Sequence, residues 1–184
     1  GCTVTAASST ANLSVWASRV VLGANVSLHA SSGITVRANE SMVCGPGSGI
    51  AAASAAVELS VGSLLSCSDA VSITAGTLKL NGGGLTRNTT VDTEAVCHLP
   101  DVTVSGALSV SGFHELVFNG SVTADGDLTV QEASRVVLGA NVSLHASSGI
   151  MTVRANESMV CGPGSGIAAA SAAVELSVGS LLSC

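Results

Sequence analysis

The sequence predicts an all-β fold, a parallel β-helix (β-solenoid) with coils of about 20–25 residues, roughly five of them in each 116-residue repeat. Three observations carry the prediction. Residues 17–67 recur at 133–184 almost letter for letter, with one inserted residue, Met151, so the chain is built by repetition. Short apolar–polar–apolar triplets recur at near-constant spacing inside that long repeat. Hydrophobic residues make up 47% of the chain, yet aromatics are 2% and charged residues 10%, against about a quarter charged in ordinary domains. The apolar content is therefore Val, Ala, Leu and Ile, small or β-branched residues that suit stacked strands.

The first series of triplets reads Leu13-Ser14-Val15, Ile34-Thr35-Val36, Val57-Glu58-Leu59, Leu78-Lys79-Leu80, Val102-Thr103-Val104, Leu128-Thr129-Val130, Thr152-Val153 and Val174-Glu175-Leu176. Between their last residues the steps are 21, 23, 21, 24, 26, 23 and 23. Leu108-Ser109-Val110 follows Val102-Thr103-Val104 closely, so either could be the fifth member of the series. A second series lies between them: Val4-Thr5-Ala6, Val26-Ser27-Leu28, Gly49-Ile50-Ala51, Val71-Ser72-Ile73, Val91-Asp92-Thr93, Val122-Thr123-Ala124 and Val142-Ser143-Leu144. Apolar pairs precede it, at Val20-Val21, Met42-Val43, Leu64-Leu65 and Leu116-Val117. A coil of this length cannot bury its inner face alone. Stacking sets Val, Leu and Ile above one another in ladders about 4.8 Å apart. The polar centres point outward, which makes Glu58 and Lys79 neighbours on successive coils. Met151 would invert a strand's faces unless a bulge or turn absorbs it. The sequence reads as one continuous segment, 1–184, of a longer array.

Seven of the eight asparagines stand in Asn-x-Ser/Thr sequons: Asn12, Asn25, Asn39, Asn88, Asn119, Asn141 and Asn156. They predict covalent N-linked glycans and hence a secreted, cell-surface or extracellular location. Asn25, Asn88, Asn119 and Asn141 fall in the turn before the second-series strand, and Asn39 and Asn156 just after the first-series strand. Six cysteines agree with an oxidising compartment. Cys44 and Cys67 are 23 residues apart, as are Cys161 and Cys184, one coil length in each case. The expected disulfides are therefore Cys44–Cys67 and Cys161–Cys184, linking adjacent coils. Cys2 and Cys97 remain unassigned, either paired through a loop or bonded to another chain.

On these triplets and their spacing the chain resembles tandem-repeat β-solenoid glycoproteins of cell surfaces and extracellular filaments. The resemblance is architectural and spans the whole chain. It implies a structural protein rather than an enzyme.

Chemistry finds little support in the residues. The net charge of −6 argues against nucleic acid, and no apolar run approaches the roughly 18–20 residues of a membrane span. His29, His98, His114 and His145 have no metal-ligand spacing. Asp125 and Asp127 flank Gly126 in what reads as a turn, and Asn81 to Gly84 is a glycine turn with no phosphate-loop lysine. No catalytic, cofactor or metal residue is expected. Trp16, Phe113 and Phe118 are the only aromatics able to stack on sugars. The outward columns of Ser and Thr are too mixed for a flat ice-binding array. The expected function is the shaft of an extracellular filament, stalk or appendage, whose partners are copies of itself, end to end and laterally. An adhesin or glycan-binding surface module is the alternative, with ice binding and action on polysaccharides behind it.

Overall fold

A computed structural model describes residues 2–6, 12–67, 71–82, 95–170 and 173–184. The described residues form eighteen strands and no helix. In chain order these are β1 (Cys2–Ala6), β2 (Asn12–Leu22), β3 (Val26–Ala30), β4 (Gly33–Cys44), β5 (Gly49–Val61), β6 (Leu64–Cys67), β7 (Ser72–Gly82), β8 (Val96–Leu99) and β9 (Val102–Val104). They continue as β10 (Leu108–Ser111), β11 (Glu115–Phe118), β12 (Val122–Ala124), β13 (Leu128–Leu138), β14 (Ser143–Ala146), β15 (Met151–Cys161), β16 (Gly166–Ala169), β17 (Val174–Val178) and β18 (Leu181–Ser183). All pair in parallel, with the next coil or the previous one, and wind into a β-solenoid of about seven turns.

Each turn contributes one rung to each of three faces. On the first face the ladder runs Leu13, Ile34, Val57, Leu78, Leu108, Leu128, Met151 and Val174. The steps are 21, 23, 21, 30, 20, 23 and 23 residues. Leu108-Ser109-Val110 is thus the fifth rung, and Val102-Thr103-Val104 belongs elsewhere. It sits on the third face, between Ile73 and Val122. The near-even spacing of the triplets conceals a 30-residue coil followed by one of 20. Val91-Asp92-Thr93, expected as the third-face rung there, lies outside the described residues.

The second face is a strand where the sequence pattern predicts an apolar pair and a turn. Val20 and Leu22 point inward while Val21 is exposed, and Met42 with Cys44 and Leu65 with Cys67 repeat the pattern. Alternation was concealed because the outward residue is often apolar too, as at Val21 and Val43. On the third face the strands run about two residues further than the triplets suggested, so that Leu28, Ile50, Ile73 and Val102 stack, each with a small or β-branched residue two places on.

The core is one continuous column of these inward residues, from Val20 to Met159. Only one polar side chain, Ser48, is buried among the described residues. The outward positions stack as well. Glu58 lies opposite Lys79 in register, as the sequence implied. Asn81 donates to Ser60 Oγ at 3.4 Å and accepts from Ser111 Oγ at 3.4 Å, tying three successive coils at the surface.

The inserted Met151 is absorbed in a turn. Met151 itself takes the inward position that Ile34 holds in the first copy, and the displaced Ile150 is 51% exposed. The Ile150 amide donates to Asp127 Oδ1 at 2.8 Å, and the Ser148 amide to the Asp125 carbonyl at 3.0 Å. Asp127 thus seats this longer turn with its carboxylate, and Asp125 with its backbone carbonyl.

Candidate functional site

No three His, Cys, Asp or Glu side chains converge among the described residues. What the coils do bring together is a line of asparagines, two cysteine staples and one aromatic cleft.

Asn25 and Asn141 occupy the corner between the second and third faces. Both take the left-handed backbone conformation, with φ of 57° and 59°. Asparagine enters this region more readily than most residues because its short polar side chain bonds locally. Each amide donates to the carbonyl of the next coil's proline, Asn25 to Pro46 and Asn141 to Pro163, at 3.0 Å. Each Oδ1 rests against the glycine after that proline, so closely that a Cβ on Gly47 or Gly164 would lie 2.5 Å from it. These two asparagines thus have a turn role that is independent of any glycan. Asn119 lies at the same corner one coil before Asn141, and the hydroxyls of their sequon serines, Ser121 and Ser143, stand 3.2 Å apart. Asn39 and Asn156 lie at the corner between the first and second faces. The register of β4 against β2, and of β15 against β13, shifts by one residue there, and both side chains are exposed. Asn12, Asn25, Asn39, Asn119, Asn141 and Asn156 are all exposed; Asn88 lies outside the described residues.

The disulfides are those expected from spacing. Cys44 bonds Cys67, and Cys161 bonds Cys184, with Cα atoms 4.4 and 4.5 Å apart. Both link consecutive rungs of one inward column on the second face. Cys97 is different. It stands in the neighbouring inward column, between Leu65 and Leu116, fully buried and unbonded. Burial pushes its thiol well above the ordinary range and keeps it protonated. An interchain bond through Cys97, one of the options left open by the sequence, is closed to a thiol facing the core. Cys2 lies in β1, paired in register with Val26, on the first third-face rung, whereas Cys97 is on the second face three coils further along.

Of the three aromatics, Phe113 and Phe118 are core residues, leaving Trp16 alone on the surface at 73% exposure. Its indole lies beneath the Arg37 guanidinium, 5.5 Å from the ring centroid, in register on the next coil. Trp16, Ala17, Ser18, Arg37 and Asn39 line a shallow cleft.

The inward residues of the last described coil are exposed. Val174, Leu176 and Leu182 are 41%, 41% and 53% exposed, whereas their counterparts in the first copy, Val57, Leu59 and Leu65, are at most 1% exposed. The difference is the next coil: Leu78, Leu80 and Cys97 cover the first copy, and no described rung covers the second. The chain matches no family model, and no curated protein and no solved structure is significantly similar to it.

Proposed function

We propose that this chain is a length of shaft in an extracellular glycoprotein filament or stalk, extended by stacking further coils on its ends. The repeated coil carries the reading, because every described strand pairs in parallel with the coil before or after it. Residues of identical sequence are buried in the first copy, so the geometry that would cover Val174, Leu176 and Leu182 is already present within the chain. A further coil of the same kind would pair its third-face strand with β16 and continue the ladders. Exposed parallel edges with apolar rungs associate readily. The disulfides suit a secreted protein, and the six exposed sequons would place glycans at the corners, leaving the ends clear.

Electron microscopy of residues 1–184 secreted from a eukaryotic host tests this directly. Rods that lengthen with protein concentration, with coils about 4.8 Å apart along the axis, are the expected result. Leu176→Lys, which puts a charge on the open rung, should keep them short. Single rods of constant length at every concentration would overturn end-to-end growth.

A further inference from the structure

We propose that the cleft formed by Trp16, Arg37 and Asn39 seats the first sugar of an N-linked glycan carried on Asn39. The inference rests on the glycoprotein reading and adds a specific contact to it.

Trp16 is the largest exposed apolar side chain among the described residues, and nothing in the core requires it. A tryptophan standing out from a narrow rod loses apolar surface to water unless something covers it. The residue best placed to supply a cover is Asn39, which is exposed and lines the same cleft. The apolar C–H face of a pyranose packs against an indole, while its hydroxyl and acetamide groups need polar partners. Arg37 provides them. Its guanidinium is held over the ring, and its Nε is buried with no hydrogen-bond partner. A buried donor left unpaired is costly, and a sugar oxygen entering the cleft would satisfy it.

The second copy supplies the contrast. Arg154 and Asn156 repeat Arg37 and Asn39, but the preceding rung carries Gln131 and Glu132 in a bulge instead of a tryptophan. Without an indole to lie on, Arg154 turns to Glu175 at 3.5 Å. One sequon is thus repeated in two settings, and only the first has an aromatic shelf.

Trp16 is the sole tryptophan, so its fluorescence reports on this cleft alone. The test compares acrylamide quenching of the glycosylated protein with that of Asn39→Gln and Asn156→Gln, alongside glycopeptide mass spectrometry of both sites. With Asn39 occupied, Asn39→Gln should raise the quenching constant about twofold or more, and Asn156→Gln should leave it unchanged. An occupied Asn39 whose loss does not alter quenching overturns the shelf while leaving the glycoprotein reading intact. An unmodified Asn39 overturns the shelf as well, and unmodified asparagines throughout would overturn the glycoprotein reading with it.

Discussion

Gly62 lies directly against the backbone carbonyl of Asn39 on the preceding coil, and its own amide donates to the Ala38 carbonyl at 2.9 Å. A Cβ at this position would overlap the Asn39 oxygen and carbon, both of which are backbone and cannot rotate away. Gly179 repeats the arrangement against Asn156. Close stacking at this corner lets the coil turn while an asparagine side chain points outward above it.

Gly62→Ala should therefore destabilise the protein by about 3 kcal/mol, at the upper end of overpacking effects. Gly179→Ala should be milder, because its coil lies at the open end and can shift. Gly166→Ala is the control, since nothing lies within 4 Å of its Cβ position. Urea denaturation of the three variants checks the order, and equal midpoints for Gly62→Ala and Gly166→Ala would contradict it.

Asn25 and Asn141 separate a turn role from a glycan role. In protein made without glycosylation, Asn25→Ala should cost about 1 kcal/mol, because alanine tolerates the left-handed conformation poorly. Asn25→Gly should cost less, since glycine adopts it freely. Thermal melts of the two variants give the comparison. An alanine variant as stable as the glycine variant would mean that the backbone at Asn25 does not hold its φ of 57° in solution.

The parts of the fold legible in the sequence were those with polar centres between apolar flanks. Leu13-Ser14-Val15 and Val57-Glu58-Leu59 announce their inward faces, and the 23-residue cysteine spacing announces the staples. Val20-Val21-Leu22 does not, because Val21 is apolar yet outward, and no local pattern distinguishes its two faces. Val102-Thr103-Val104 has a correct pattern and an undecidable face, since which ladder it joins depends on the length of the preceding coil rather than on its own residues. The Trp16 cleft was legible only as an aromatic. Its coupling to Arg37 and Asn39 depends on register across coils, which no contiguous stretch of sequence records.

The two disulfides should differ in their ease of reduction. Each closes a loop of 23 residues, for which chain entropy gives about 3 kcal/mol of stabilisation. Access differs, however. Cys44 and Cys67 are buried, whereas Cys184 is exposed on the end coil. A mild reductant should open Cys161–Cys184 first, and differential alkylation followed by mass spectrometry reads the order. Simultaneous reduction in unassociated protein would show that the end coil is no more accessible than the interior. Covering the end by stacking should slow the first step, so protection of Cys184 at high protein concentration is also expected.

Cys97 should be silent in the folded protein and should make stability fall in alkali. Its thiol is buried between Leu65 and Leu116, and burial raises its pKa in the folded state. Below the ordinary thiol range, about 8.5, both folded and unfolded forms keep the proton and pH has no effect through this group. Above it the unfolded chain releases the proton while the folded chain retains it, so the folded state binds more protons and stability declines as pH rises. Cys97→Ala removes this decline. The variant starts less stable, because the sulfur leaves a small cavity, but its loss between pH 8 and pH 10 should be smaller than that of the parent. Urea midpoints at the two pH values give the slopes, and a thiol reagent should modify Cys97, followed by peptide mass spectrometry, only after unfolding. Equal slopes, together with rapid labelling of Cys97 in the native protein, would place Cys97 at the surface and reopen it as a link between chains.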